Sequence, residues 1–132
     1  MSRSNLQYVL LASLLALCIS GCFSDSGMEQ VQGTVTFSDG TPVPGGTIVF
    51  AAVEGNSSSI GYLQKDGTYQ LGTFGESDGA PQGKYKVTIT GSSGYGGASP
   101  VAGKYGAIGQ SPLAAEIKNG SNTIDFQIDR AK

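Results

Sequence analysis

After position 28 the apolar residues fall at every second position. Val31, Gly33, Val35 and Phe37 alternate with Gln32, Thr34 and Thr36; Tyr85, Val87 and Ile89 alternate with Lys84, Lys86, Thr88 and Thr90. Ile124, Phe126 and Ile128 alternate with Thr123, Asp125, Gln127 and Asp129. This period predicts strands with one face in a core and the other in water. Residues 48–53 form an unbroken apolar run, which predicts a central strand. Residues 60–63 and 68–71 predict a short hairpin around Lys65-Asp66-Gly67. Residues 113–117 and 122–128 predict a second around Asn119-Gly120, where both turn positions tolerate positive φ. Turn residues are dense elsewhere, at Asp39-Gly40, Pro44-Gly45-Gly46, Asp78-Gly79 and Pro81. No segment beyond Cys22 spaces its apolar residues as a helix does. The expected fold is an all-β sandwich of about seven strands.

The first 21 residues read differently. Arg3 precedes an apolar stretch, residues 9–17, of the length expected for a signal sequence and too short for a transmembrane helix of roughly 20 residues. Ile19-Ser20-Gly21-Cys22 follows, and it resembles the lipobox of bacterial lipoproteins. The resemblance implies a diacylglyceryl thioether on Cys22, cleavage between Gly21 and Cys22, and further acylation, as by palmitate, at the new amino terminus. More than one acyl chain gives stable anchoring where a single chain is marginal. The expected organisation is a signal peptide over 1–21, a lipidated tether over 22–28 and one β domain over 29–132. Phe23, where Asp would signal inner-membrane retention, points to the outer membrane in a cell with two membranes.

Composition narrows the chemistry. The net charge is −2 and the lysines are scattered, so the basic footprint of a nucleic-acid-binding protein is missing. There is no histidine, which removes the commonest general base and metal ligand together. Both cysteines, Cys18 and Cys22, precede the β domain, so no disulfide is expected within it. A phosphate loop is ruled out at Gly103-Lys104, because Ala98 stands where glycine is required and Tyr105 where Ser or Thr is. The remaining carboxylate pairs, Glu76 with Asp78 and Asp125 with Asp129, read as turn and strand-face charges. Glu76-Ser77-Asp78 is the best local oxygen cluster for calcium. The reading assigns no catalytic residue, no metal ligand and no cofactor.

Gly33-Thr-Val35, Asp39-Gly40-Thr-Pro-Val43 and Gly46-Thr-Ile-Val-Phe50 resemble the opening of a carboxypeptidase regulatory-like domain. Lys65-Asp66-Gly67-Thr-Tyr69-Gln-Leu71 and Gln82-Gly83-Lys84-Tyr85-Lys86-Val87 continue the resemblance. From Lys104-Tyr105 to Asn122-Thr-Ile-Asp-Phe126 the tail is similar to small lipoproteins built on that domain. The resemblance implies a seven-stranded, transthyretin-like (Ig-like) β-sandwich that is an appended, non-catalytic module.

Ligand contacts are sought among the aromatics. Residues 91–111, rich in glycine and serine, are expected to be a flexible or binding loop, with Tyr95 and Tyr105 as candidate contacts. Tyr62 joins them as a possible platform for a sugar ring, whereas Tyr69 and Tyr85 sit at core positions. The expected protein is a monomeric, lipid-anchored, non-enzymatic envelope protein with a structural or protein-interaction role. The alternative is a module that binds glycan or another envelope ligand. Its partners are membrane lipid through Cys22 and an envelope protein or glycan, not nucleic acid.

Overall fold

The computed structural model describes residues 27–93 and 98–132, so Gly21, Cys22 and Tyr95 lie outside the described residues. The described chain is all β: eight strands in two sheets, with one short 3-10 turn at Gly103–Gly106. β1 (Val31–Phe37) is the spine of the first sheet. On one side it pairs antiparallel with β4 (Thr68–Gln70). On the other it pairs parallel with β7 (Asn122–Thr123) and then β8 (Phe126–Ile128). The second sheet is antiparallel and runs β3 (Ser58–Leu63), β2 (Gly46–Ala52), β5 (Gly83–Gly91), β6 (Ala114–Ile117). Among the described residues no helix is long and apolar enough to cross a membrane.

The alternation places the core. Val31, Val35 and Phe37 from β1, and Tyr85, Val87 and Ile89 from β5, are buried, while the even-numbered residues between them are not. The apolar run at 48–53 supplies the central β2, as expected, with Ile48 opposite Ile89 and Phe50 opposite Val87. Phe50 joins the layers: its ring lies 5.9 Å from Tyr85 in its own sheet, and 6.3 and 6.1 Å from Tyr69 and Phe126 in the other. Tilted and edge-on aromatic pairs of this kind add to what burial alone provides. At the carboxyl end Arg130 stacks 4.0 Å above the Phe37 ring and donates to Thr41 Oγ1, fastening the tail to the turn after β1.

Three expectations are corrected. Neither predicted hairpin is a single ladder. The Lys65-Asp66-Gly67 turn does close, through Gln64 N–H to Thr68 O, but β3 belongs to the second sheet and β4 to the first. Leu63 and Tyr69 both reach the core, from opposite layers, which a flat hairpin would not allow. The Asn119-Gly120 turn likewise carries the chain from β6 in one sheet to β7 in the other, with Gly120 at φ 98°. Second, residues 122–128 form two strands, because Asp125 Oδ1 takes the Thr34 N–H at 2.8 Å in place of a backbone carbonyl. Third, much of 91–111 is built into the fold. Gly91 pairs with Gly46, Val101 bridges Arg130, and Ser111 is buried and donates to Val87 O.

Candidate ligand-binding groove

The outer face of the first sheet consists of the polar positions that alternate with the core. Register sets them in two rows. Gln70, Gln32 and Thr123 are cross-strand partners in the first; Thr68 and Thr34 pair in the second, with Asp125 beside them. Their backbones are engaged in the β4–β1–β7 ladder, so the face offers amides, hydroxyls and a carboxylate rather than free main chain. Beside it, β3 turns Ile60 and Tyr62 outward, because Ser59, Gly61 and Leu63 take the inward positions. Tyr62 is 61% exposed and Ile60 41%.

The far wall is the loop after β4, anchored by reciprocal hydrogen bonds between Ile60 and Gly72 at 2.9 Å. Asp78 holds its shape by accepting the N–H groups of Thr73 at 2.7 Å, Phe74 at 3.1 Å and Gly75 at 3.2 Å. These bonds, Thr73 first, hold the Asp78 carboxyl below the usual carboxylate range. Thr73 Oγ1 donates to Gly79 O and meets Ser59 Oγ at 2.8 Å, pinning the loop to β3. The loop displays Phe74, a phenyl ring 91% exposed on a tightly hydrogen-bonded frame. Together these walls and floor enclose a groove of about 940 Å³.

At its base Tyr69 closes the floor. Its hydroxyl donates to Ile124 O at 2.5 Å, and that carbonyl lies over Gly33, where a Cβ would overlap it. Burial, and then the nearby Asp125 charge, push the Tyr69 phenol well above its ordinary pKa. Tyr69 is therefore a neutral hydrogen-bond donor at every physiological pH.

Of the tyrosines proposed from sequence as ligand contacts, Tyr62 lines the groove and Tyr105 does not, while Tyr95 lies outside the described residues. Tyr69 and Tyr85 are core, as expected. Tyr105 is corrected: it is 4% exposed, held by the 3-10 turn, with its hydroxyl at 3.2 Å from Asp129 Oδ2 and accepting the Asp129 N–H at 3.1 Å. It is a core residue, since a ring followed by small residues can fold inward wherever a neighbour satisfies its hydroxyl. The carboxylate pairs are separated by their bonding. Asp78 is turned onto backbone N–H groups while Glu76 lines the groove; Asp125 lines the groove while Asp129 binds Lys104 at 3.3 Å. Among the described residues no group of three His, Cys, Asp or Glu is placed to hold a metal ion.

Ile60, Phe74 and the Gln32–Gln70–Thr123 row escaped sequence reasoning. A phenylalanine set between glycines at Gly72-Thr73-Phe74-Gly75, outside any alternating run, was the available signal for Phe74. The polar row was visible as strand faces, but only the sheet order shows that they are neighbours.

No family model matches the sequence, and no curated relative matches it. Two solved structures are similar in part. The major pilin subunit of Bacillus cereus shares 15% identity at a TM-score of 0.49, over 80% of this chain and 30% of the pilin. A 9R-lipoxygenase from Cyanothece shares 11% identity at a TM-score of 0.42, over 92% of this chain and 20% of the enzyme. The chain thus spans less than a third of either protein, and neither likeness bears on function.

Proposed function

We propose that this chain is a lipid-anchored, non-catalytic protein of the cell envelope whose β domain works by binding a ligand in the groove. Acylated Cys22 holds it on the extracytoplasmic side, at the outer membrane where there are two. Counting β7 and β8 as one interrupted strand would make seven, in keeping with a transthyretin-like plan. The observation that carries the reading is Phe74. Exposing a large apolar ring forgoes roughly 1.5–3 kcal/mol of burial, and here the ring stands on a loop pinned by hydrogen bonds rather than one free to fold it away. With Tyr62 it flanks a face rich in hydrogen-bonding groups, so apolar and polar contacts converge on one groove. This favours a binding role over a purely structural one.

The test replaces Tyr62 and Phe74 together by alanine in the full chain. Both are exposed, so the melting temperature should hold within a few degrees. Capture of material from a detergent extract of the envelope should fall at least about tenfold, as for loss of two central contacts. Unchanged capture would return the domain to a structural role.

A further inference from the structure

Resting on that binding reading, we infer that the groove's ligand is an uncharged glycan chain. A pyranose ring has an apolar face of C–H groups and a rim of hydroxyls. The groove has matching halves: Tyr62 and Phe74 for the ring face, and the Gln70–Gln32–Thr123 row for the hydroxyls. Amide side chains suit this rim because each offers both donors and an acceptor, as a sugar hydroxyl requires. An extended polypeptide is the poorer fit. It gains affinity by adding to a free sheet edge, and the groove floor is the face of a sheet whose β1 backbone is paired on both sides.

Charge decides between classes of glycan. Among the described residues no lysine or arginine lines the groove, whereas Asp125 and Glu76 do. Phosphorylated, sulfated or uronate-rich chains would bring like charge against these carboxylates with no cation to offset it, a penalty strongest at low salt. Neutral hexose and N-acetylhexosamine chains meet no such penalty.

The experiment applies the full chain, purified in detergent micelles and fluorescently labelled, to a printed array of neutral and anionic oligosaccharides. In parallel the same preparation captures protein from envelope extract. Neutral spots should bind, anionic spots should give at most about a tenth of that signal, and Tyr62→Ala should weaken the neutral signal about tenfold. Tyr62→Phe, which keeps the stacking face, should stay within about twofold of wild type and shows that the alanine effect is not misfolding. A preference for anionic spots overturns the inference. So does silence across the array; if Tyr62→Ala with Phe74→Ala nonetheless abolishes capture of an envelope protein, the glycan inference fails while the groove reading stands. If those substitutions change neither binding nor capture, both fall.

Discussion

At the scale of single residues, one contact joins the fold to the groove. Ile124 O lies over Gly33 and accepts the Tyr69 hydroxyl, so β4 on one side of β1 and the link between β7 and β8 on the other meet above a residue with no side chain. Gly33→Ala would drive a methyl into that carbonyl. The expected loss of stability is about 1–3 kcal/mol, the ordinary cost of overpacking, read as a lowered midpoint in urea at unchanged slope. Tyr69→Phe tests the other partner. It leaves Ile124 O without its buried donor, and about 1–3 kcal/mol is expected for that. Because the two changes strike one contact, the double variant should lose less than the sum of the singles. Full additivity would mean that the three groups act independently. The glycine was legible in the sequence as an odd member of an alternating apolar face; its reason was not, since Ile124 lies 91 positions away.

At the scale of elements, the sequence specified strands better than their partners. Period two identifies a face wherever one side of a strand is buried, and β1 and β5 follow it closely. It does not say which layer a strand joins. Both turns read as hairpins cross between sheets instead, because turn residues fix local backbone while the layer is fixed by where Leu63, Tyr69 and Ile117 find the core. The same gap hid the groove, which needs β3, β1 and the loop after β4 in one place. That loop makes its own prediction. Asp78 accepts the N–H groups of Thr73, Phe74 and Gly75, and its carboxyl is held below the ordinary value. A lowered folded pKa contributes stability that is full above the unfolded value of about 3.9 and lost as pH falls through the folded one. Asp39 and Asp66, held low first by the hydroxyls of Thr41 and Thr68, act in the same sense. The melting temperature should therefore fall below about pH 4, and Asp78→Asn should flatten that fall while lowering the plateau at neutral pH. The variant should also weaken groove binding at pH 7, since Phe74 loses its frame. An acid limb identical to wild type would show that Asp78 is not responsible.

At the scale of the whole molecule, the lipid tether proposed at Cys22 would decide what the groove can meet. Glu29 is hydrogen-bonded into the fold: its backbone pairs with Ala80 and its carboxylate accepts the Gly120 N–H at 2.8 Å. Residues 23–29 span at most about 25 Å when extended, so a lipid on Cys22 would keep the domain close to the membrane surface. Glu29 pairs with Ala80, directly after the loop that carries Phe74, which places the groove near the end of the domain that a lipid on Cys22 would hold. A glycan bound there would have to lie near the membrane. This arrangement depends on which cysteine carries the lipid, and the lipobox resemblance names Cys22: small Ser20 and Gly21 precede it, whereas bulky Leu17 precedes Cys18. In cells fed a clickable fatty acid, Cys18→Ser should incorporate label as wild type does, and Cys22→Ser should incorporate none and remain a slower-migrating precursor. The unlabelled Cys22→Ser protein should still bind whatever the wild-type groove binds in solution, because anchor and groove share no residue. Label on the Cys22→Ser protein would place the lipid elsewhere and remove the argument for membrane proximity. Loss of solution binding in that variant would show instead that the lipidated segment is part of the site.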